Sequence, residues 1–184
     1  KSVYFFYYAA LACLAPFMTL YYQERGMSGA QIGVLAGLVP LVSWFSAPFW
    51  GGIADALQRH RAVLVLNLAG FTGSAVILML ADTFPELLFA VITYAFFVGP
   101  IVPLVDNAVM AILGDRKSNY GRVRLWGSVG WGVSSLFIGS LIDQSGLRLG
   151  FYAFMAIMLM NLIVSSKLPM EMGGETKPSY FSGL

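Results

Sequence analysis

The sequence has one cysteine, Cys13, and one histidine, His60. A lone thiol excludes an intrachain disulfide, and no Cys/His spacing suits zinc. Cys13 sits inside an apolar run and reads as a small buried apolar residue. His60 lies in a polar loop, so no Ser–His dyad can assemble at membrane depth, although Gly127-Ser128-Val129-Gly130 superficially offers a nucleophile. The chain is therefore read as neither an enzyme nor the holder of a metal or cofactor. Charge is scarce as well: Asp, Glu, Lys and Arg make up 11% of 184 residues, against roughly 25% in a soluble domain. No basic cluster interleaves with aromatics, which excludes nucleic acid as a partner.

Apolar sequence is abundant, at 58% of residues. Runs free of ionisable groups cover 2–23, 26–54, 62–81, 87–105, 125–142 and 149–166. A membrane-spanning helix needs about 20 mostly apolar residues, and these six runs meet or approach that. With the N-terminus inside the cell, nine of the 11 basic residues fall on the cytoplasmic side and only Arg25 and Arg148 outside. That bias places both termini in the cytoplasm. The expected fold is an all-α membrane protein of six transmembrane helices, with short loops that make sequential helices antiparallel neighbours. Residues 1–166 form the helical unit, with repeats at about 1–82 and 83–166, and 167–184 starts a cytoplasmic linker. Gly51-x-x-x-Asp55 closes the second helix on one side of the membrane and Gly139-x-x-x-Asp143 the fifth on the other. This is the pattern of two inverted three-helix repeats.

Small residues four apart, at Gly33/Gly37, Ser128/Gly132 and Ser135/Gly139, predict tight helix packing within the bundle. Pro100 and Pro103 predict a bend in the fourth helix, because each removes a backbone donor. Such breaks are tolerated where protein or a water-filled cavity surrounds them.

Two ionisable residues stand out against this apolar background. With Gly114 as the cytoplasmic end of the fourth helix, Asp106 lies about 12 Å in; with Tyr120 opening the fifth, Arg124 lies about 6 Å in. An intramembrane charge costs about 2.5–3.5 kcal/mol on insertion scales, so such residues mark a cavity or each other. Asp106 can accept hydroxyl hydrogen bonds, and Arg124 offers a planar fork of donors. Trp131 follows Arg124 by two helical turns and presents a stacking surface for a sugar or an aromatic ring.

The stretch Pro103-Leu-Val-Asp106, followed by Tyr120-Gly-Arg-Val-Arg124-Leu-Trp-Gly-Ser-Val-Gly-Trp131, resembles the major facilitator superfamily, in the branch of lactose permease and the phenylpropionate permease-like transporters. The resemblance implies the N-terminal half of a twelve-helix transporter in a bacterial inner membrane. Asp106, Arg124 and Trp131 would bind substrate, with Asn107 beside them. It further implies a cytoplasmic gate at Gly51, Asp55, Arg59 and Arg61, although Ala56 and Gln58 depart from the family's gating motif. Proton-carrying residues lie mainly in the second half of lactose permease, and none is assigned here. The implied activity is proton-coupled symport of a small polar solute, either a sugar or glycoside or an aromatic acid. The expected partners are that solute, protons, the lipid bilayer, and a C-terminal six-helix half or a second copy. The alternative is a half-size six-helix protein acting as a homodimeric transporter or a scaffold.

Overall fold

The computed structural model describes residues 1–168, so the expected linker lies, from residue 169 onward, outside the described residues. Among the described residues the regular structure is helical throughout. Helix α1 (Ser2–Leu14) ends where Pro16 enters a 3-10 turn, Ala15–Phe17, and α2 (Met18–Glu24) completes the first apolar stretch. Proline lacks an N–H and crowds the preceding turn, which accounts for the break. Helix α3 (Gly29–Leu57) starts at a capping box. The Gln31 amide N–H donates to Ser28 Oγ, and the Ser28 N–H donates to Gln31 Oε1 at 2.9 Å. Thr83 and Glu86 form the equivalent box before α5 (Phe84–Val98). Each box satisfies two of the donors a helix start leaves orphaned. Between them lies α4 (His60–Leu80), so His60 opens a helix instead of lying in the loop.

Gly99 and Pro100 separate α5 from α6 (Ile101–Leu113), while Pro103 is carried inside α6. The expected bend is thus an interruption at the first proline only. A 3-10 segment, Gly114–Asn119, with Arg116 outside helical geometry, precedes α7 (Tyr120–Ser145). Gly146, at φ 82°, turns the chain into α8 (Arg148–Ser166); the left-handed region favours glycine.

Among the described residues five stretches are long and apolar enough to cross a membrane: Ser2–Glu24, Gly29–Leu57, His60–Leu80, Phe84–Ser145 and Arg148–Ser166. The protein is a multi-pass membrane protein. The fourth stretch, at 62 residues, holds both the fourth and fifth runs of the sequence reading.

The packing departs from the expectation of sequential neighbours. Helix α1 packs mainly on α7 and α8, α3 on α5, and α4 on α5 and α8. Of these pairs only α4–α5 is consecutive. Close backbone approach, and not loop length, selects the partners. A Cβ on Gly130 would run into the Phe5 carbonyl oxygen, and one on Gly127 would lie 2.5 Å from the Tyr8 ring. On the other side of α1, Gly150 brings α8 against the Cys13 carbonyl. The glycines expected to pack, Gly33, Gly37, Gly132 and Gly139, meet nothing within 4 Å, so that expectation is corrected. They lie on open faces of α3 and α7. At the centre, Phe71 of α4 is fully buried, with ring centroids of Tyr94 at 4.6 Å, Phe154 at 5.2 Å and Tyr7 at 6.4 Å. One aromatic therefore joins α1, α4, α5 and α8.

Candidate functional site

The α1–α7 seam builds the site. Gly127 and Gly130 let α7 lie against α1, which brings Tyr8 beneath Arg124 and Tyr4 alongside Asp106. Arg124 stands in the second turn of α7, and the reversal at 114–119 returns the chain past Asp106 on α6. Arg124 Nη1 lies 3.6 Å from Asp106 Oδ1, with the two side chains 43% and 30% exposed. That distance is an ion pair but too long for a hydrogen bond. The Tyr4 hydroxyl donates a hydrogen bond to the same Asp106 oxygen. The Arg124 guanidinium also lies over the Tyr8 ring, 5.9 Å from its centroid. Its Nη1 is shielded from solvent and has no hydrogen-bond acceptor.

Arg124, Ser128, Trp131 and Gly132 follow one another at the spacing of a single helix face. Together with Tyr8 they line a recess of about 340 Å³. Trp131 is 36% exposed there, and Gly132 leaves the wall open. The arrangement offers one cationic fork, the hydroxyl-bearing side chains of Ser128 and Tyr8, and two aromatic faces. Asp106 stands behind Arg124 rather than among these lining residues, and Asn107 is exposed and likewise outside them. The structure thus brings Arg124 together with Asp106, and Arg124 with Trp131, but does not join Asn107 to them.

The expected gate residues sit where α3 meets α4. Gly51 is half-buried in α3, Asp55 is exposed near its end, Arg59 precedes α4, and Arg61 is half-buried in its first turn. Asp55 Oδ1 lies 3.6 Å from His60 Nε2, a partner that the motif did not indicate. Gln58, one of the departures from the motif, takes a left-handed conformation (φ 52°) and donates its amide to the Asp55 carbonyl at 2.7 Å.

Sequence reasoning missed Tyr4 and Tyr8. Their i, i+4 spacing on one face of α1 was the available signal. It also left Arg25 as an isolated outer charge. Arg25 in fact donates to the carbonyls of Ala81 at 2.7 Å and Met79 at 3.1 Å, pairs with Asp82, and lies 5.0 Å over Tyr21. The end of the first apolar stretch thereby caps the C-terminus of α4, where a cation complements the helix dipole.

These features define a multi-pass helical membrane protein with a cationic, aromatic-walled recess between apolar helices. Residues 1–179 match the MFS_1 like family, and the chain belongs to that family, within the major facilitator superfamily. It is 30% identical over 167 residues to the maltose permease of Geobacillus stearothermophilus, covering 90% of this chain and 42% of that protein. The probable 3-phenylpropionic acid transporter of Escherichia coli K12 is 29% identical over 149 residues, covering 79% of this chain and 38% of that protein. Multidrug resistance protein MdtG of Yersinia enterocolitica is 29% identical over 158 residues, covering 82% and 37%. The chain spans about two fifths of the length of the curated relatives it matches and corresponds to their N-terminal part.

Proposed function

We propose that this chain is the N-terminal six-span half of a secondary active transporter, a proton-coupled symporter that moves a small polar organic solute by alternating access. The observation that carries the reading is the incompletely paired Arg124–Asp106 ion pair beside the Trp131 recess. A pair of this kind is often no more stabilising than apolar residues of the same size, so its presence among apolar helices points to use. In this reading Arg124 and Trp131 meet the solute in the recess, and Asp106, with Asn107 in the same turn of α6, acts through its ion pair with Arg124. The relatives' names span a sugar, an aromatic acid and drugs, so the fold leaves the cargo open and the side chains of the site decide it.

The packing supports the inverted repeat. Number the spans one to six in chain order, with α1–α2, α3, α4, α5–α6, α7 and α8 as their helices. Exchanging one with four, two with five and three with six turns the α1–α7 seam into the α5–α3 seam and α1–α8 into α5–α4, and leaves α4–α8 unchanged. Chance pairing of six helices rarely has that property. The open glycine faces of α3 and α7 are exchanged by the same operation and receive the remainder of the transporter. Gly51, Asp55, Arg59 and Arg61, with His60, close the cytoplasmic side. Both termini of the chain lie in the cytoplasm of a bacterial cell, with the protein in its inner membrane.

The test is uptake by the full-length transporter in proteoliposomes, with maltose and 3-phenylpropionate as probes. Wild-type uptake is expected to acidify the lumen. Asp106→Asn and Arg124→Ala are expected to insert normally and lose uptake. Normal uptake by both variants removes the site assignment. Uptake driven by sodium and indifferent to pH removes proton coupling.

A further inference from the structure

We infer that the recess selects an organic anion with a flat apolar body, and that the Tyr4 hydroxyl is the positioning group that sets this preference. The inference rests on the reading of the recess as the substrate site. Among the residues lining the recess, Arg124 is the one charged group, and Tyr8 and Trp131 supply the aromatic walls. A site meant for a polyhydroxylated neutral ligand needs a carboxylate turned towards the ligand to accept its hydroxyl hydrogens. Here Asp106 is not among the residues lining the recess. Its Oδ1 receives the hydroxyl of Tyr4, a residue 1% exposed and fixed by the α1 core. An O–H donated to a carboxylate is among the strong hydrogen bonds, so Asp106 is anchored on the α1 side.

The guanidinium follows from that anchoring. Arg124 stays 3.6 Å from Asp106, attracted but not hydrogen-bonded, and its Nη1 keeps an unspent N–H shielded from water. An unsatisfied buried donor on a charged group is costly, and a ligand acceptor removes that cost. A carboxylate fits best, because the planar guanidinium fork matches its two oxygens. Ser128 adds a hydroxyl donor one turn away, and the Tyr8 face stabilises the cation when the recess is empty. When the anion enters, Arg124 turns to it while Asp106 stays on Tyr4. When the anion leaves, the waiting Asp106 restores the charge balance. Tyr4 thereby keeps the internal carboxylate from competing for the fork.

The test measures binding to the full-length transporter in detergent. The probes are 3-phenylpropionate, benzoate and short aliphatic carboxylates, each beside its primary amide, with maltose as the neutral polyol. At least one carboxylate is expected to bind about tenfold more tightly than its own amide, and maltose more weakly than that carboxylate. Tyr4→Phe frees Asp106 to pair with Arg124, so the carboxylate-over-amide ratio is expected to fall about tenfold while amide binding is unchanged. A merely structural role for Tyr4 would weaken both members of each pair together. If Tyr4→Phe does not insert, Arg124→Gln reads the same ratio and is expected to bring it to parity. The inference is overturned if no carboxylate outperforms its amide, if maltose is preferred, or if the ratio survives Tyr4→Phe; where that variant does not insert, survival of the ratio in Arg124→Gln overturns it. Uptake of a neutral solute that Arg124→Ala abolishes would leave the transport reading standing and overturn the anion assignment alone.

Discussion

Gly130→Ala tests the claim that the α1–α7 seam builds the site. The new Cβ would fall 3.0 Å from the Phe5 carbonyl carbon and 3.1 Å from Phe5 Cα, and closer still to the carbonyl oxygen. Nonbonded carbon atoms pack best at 3.5–4.0 Å, so α1 has to retreat from α7 by roughly 1 Å. Backbone atoms have no rotamer by which to escape. Overpacking of this kind costs about 1–3 kcal/mol, partly offset by the gain of about 0.5–1 kcal/mol that alanine brings to a helix interior. Tyr4 and Tyr8 flank Phe5 on the moving helix, so the Tyr4–Asp106 hydrogen bond and the wall beneath Arg124 should loosen together.

Two glycines of α4 calibrate the result. Gly70→Ala meets the Phe97 ring at 2.5 Å, a side chain that can turn, and Gly73→Ala meets nothing within 4 Å. Thermal unfolding of the full-length protein in detergent should order the three variants with Gly73→Ala at or above wild type, Gly70→Ala next and Gly130→Ala lowest. Only Gly130→Ala should lose solute binding. Equal melting temperatures for Gly73→Ala and Gly130→Ala, or intact binding in Gly130→Ala, would refute the seam as the organiser of the site.

The remaining predictions concern other parts of the molecule. Arg25→Ala should destabilise by about 2–3 kcal/mol, because two carbonyls at the end of α4 lose a charged donor. Asp82→Asn should cost under about 1 kcal/mol, since that carboxylate is 78% exposed; paired melts check the asymmetry, and equal losses would contradict it. Phe71→Ala should cost about 3–5 kcal/mol, by removing the ring that joins four helices, and should depress expression together with melting temperature. Trp131→Ala should raise the KM for uptake with little change in melting temperature, because the indole is partly exposed in the recess and supports a ligand more than the fold; an unchanged KM would place Trp131 outside the site.

Helix positions were legible because the bilayer imposes them. A run of about 20 apolar residues has few alternatives in lipid, where each backbone group must be satisfied within its own helix. Helix ends follow local chemistry at Ser28 with Gln31 and at Pro16, yet the run pattern passed over both, because it registers charge and not caps or breaks. Partner choice was not legible either. Gly33, Gly37 and Gly139 look no different in sequence from Gly127 and Gly130, yet of these five only the latter two closely approach another helix in the described residues. Close approach depends on which face of a helix turns inward. The hydrophobic pattern that reports this in a soluble helix fades when lipid and core are both apolar.

The same reasoning separates the charged residues found by sequence from the tyrosines that were missed. A charge within an apolar run is conspicuous because its insertion cost demands an explanation, so Asp106 and Arg124 announced themselves. A tyrosine demands none, being at home in core, interface or lipid contact. Tyr4 and Tyr8 are marked out by the charged groups that α6 and α7 bring to them from more than a hundred residues away. Yet Tyr4 fixes how far Asp106 can engage Arg124, and so which chemistry the exposed side of the guanidinium is left to meet. On the proposed reading, the charged pair locates the site, while the neutral residue behind it sets the site's polarity. Two relatives that share the pair but differ at the position of Tyr4 should therefore differ in the charge of the solute they prefer.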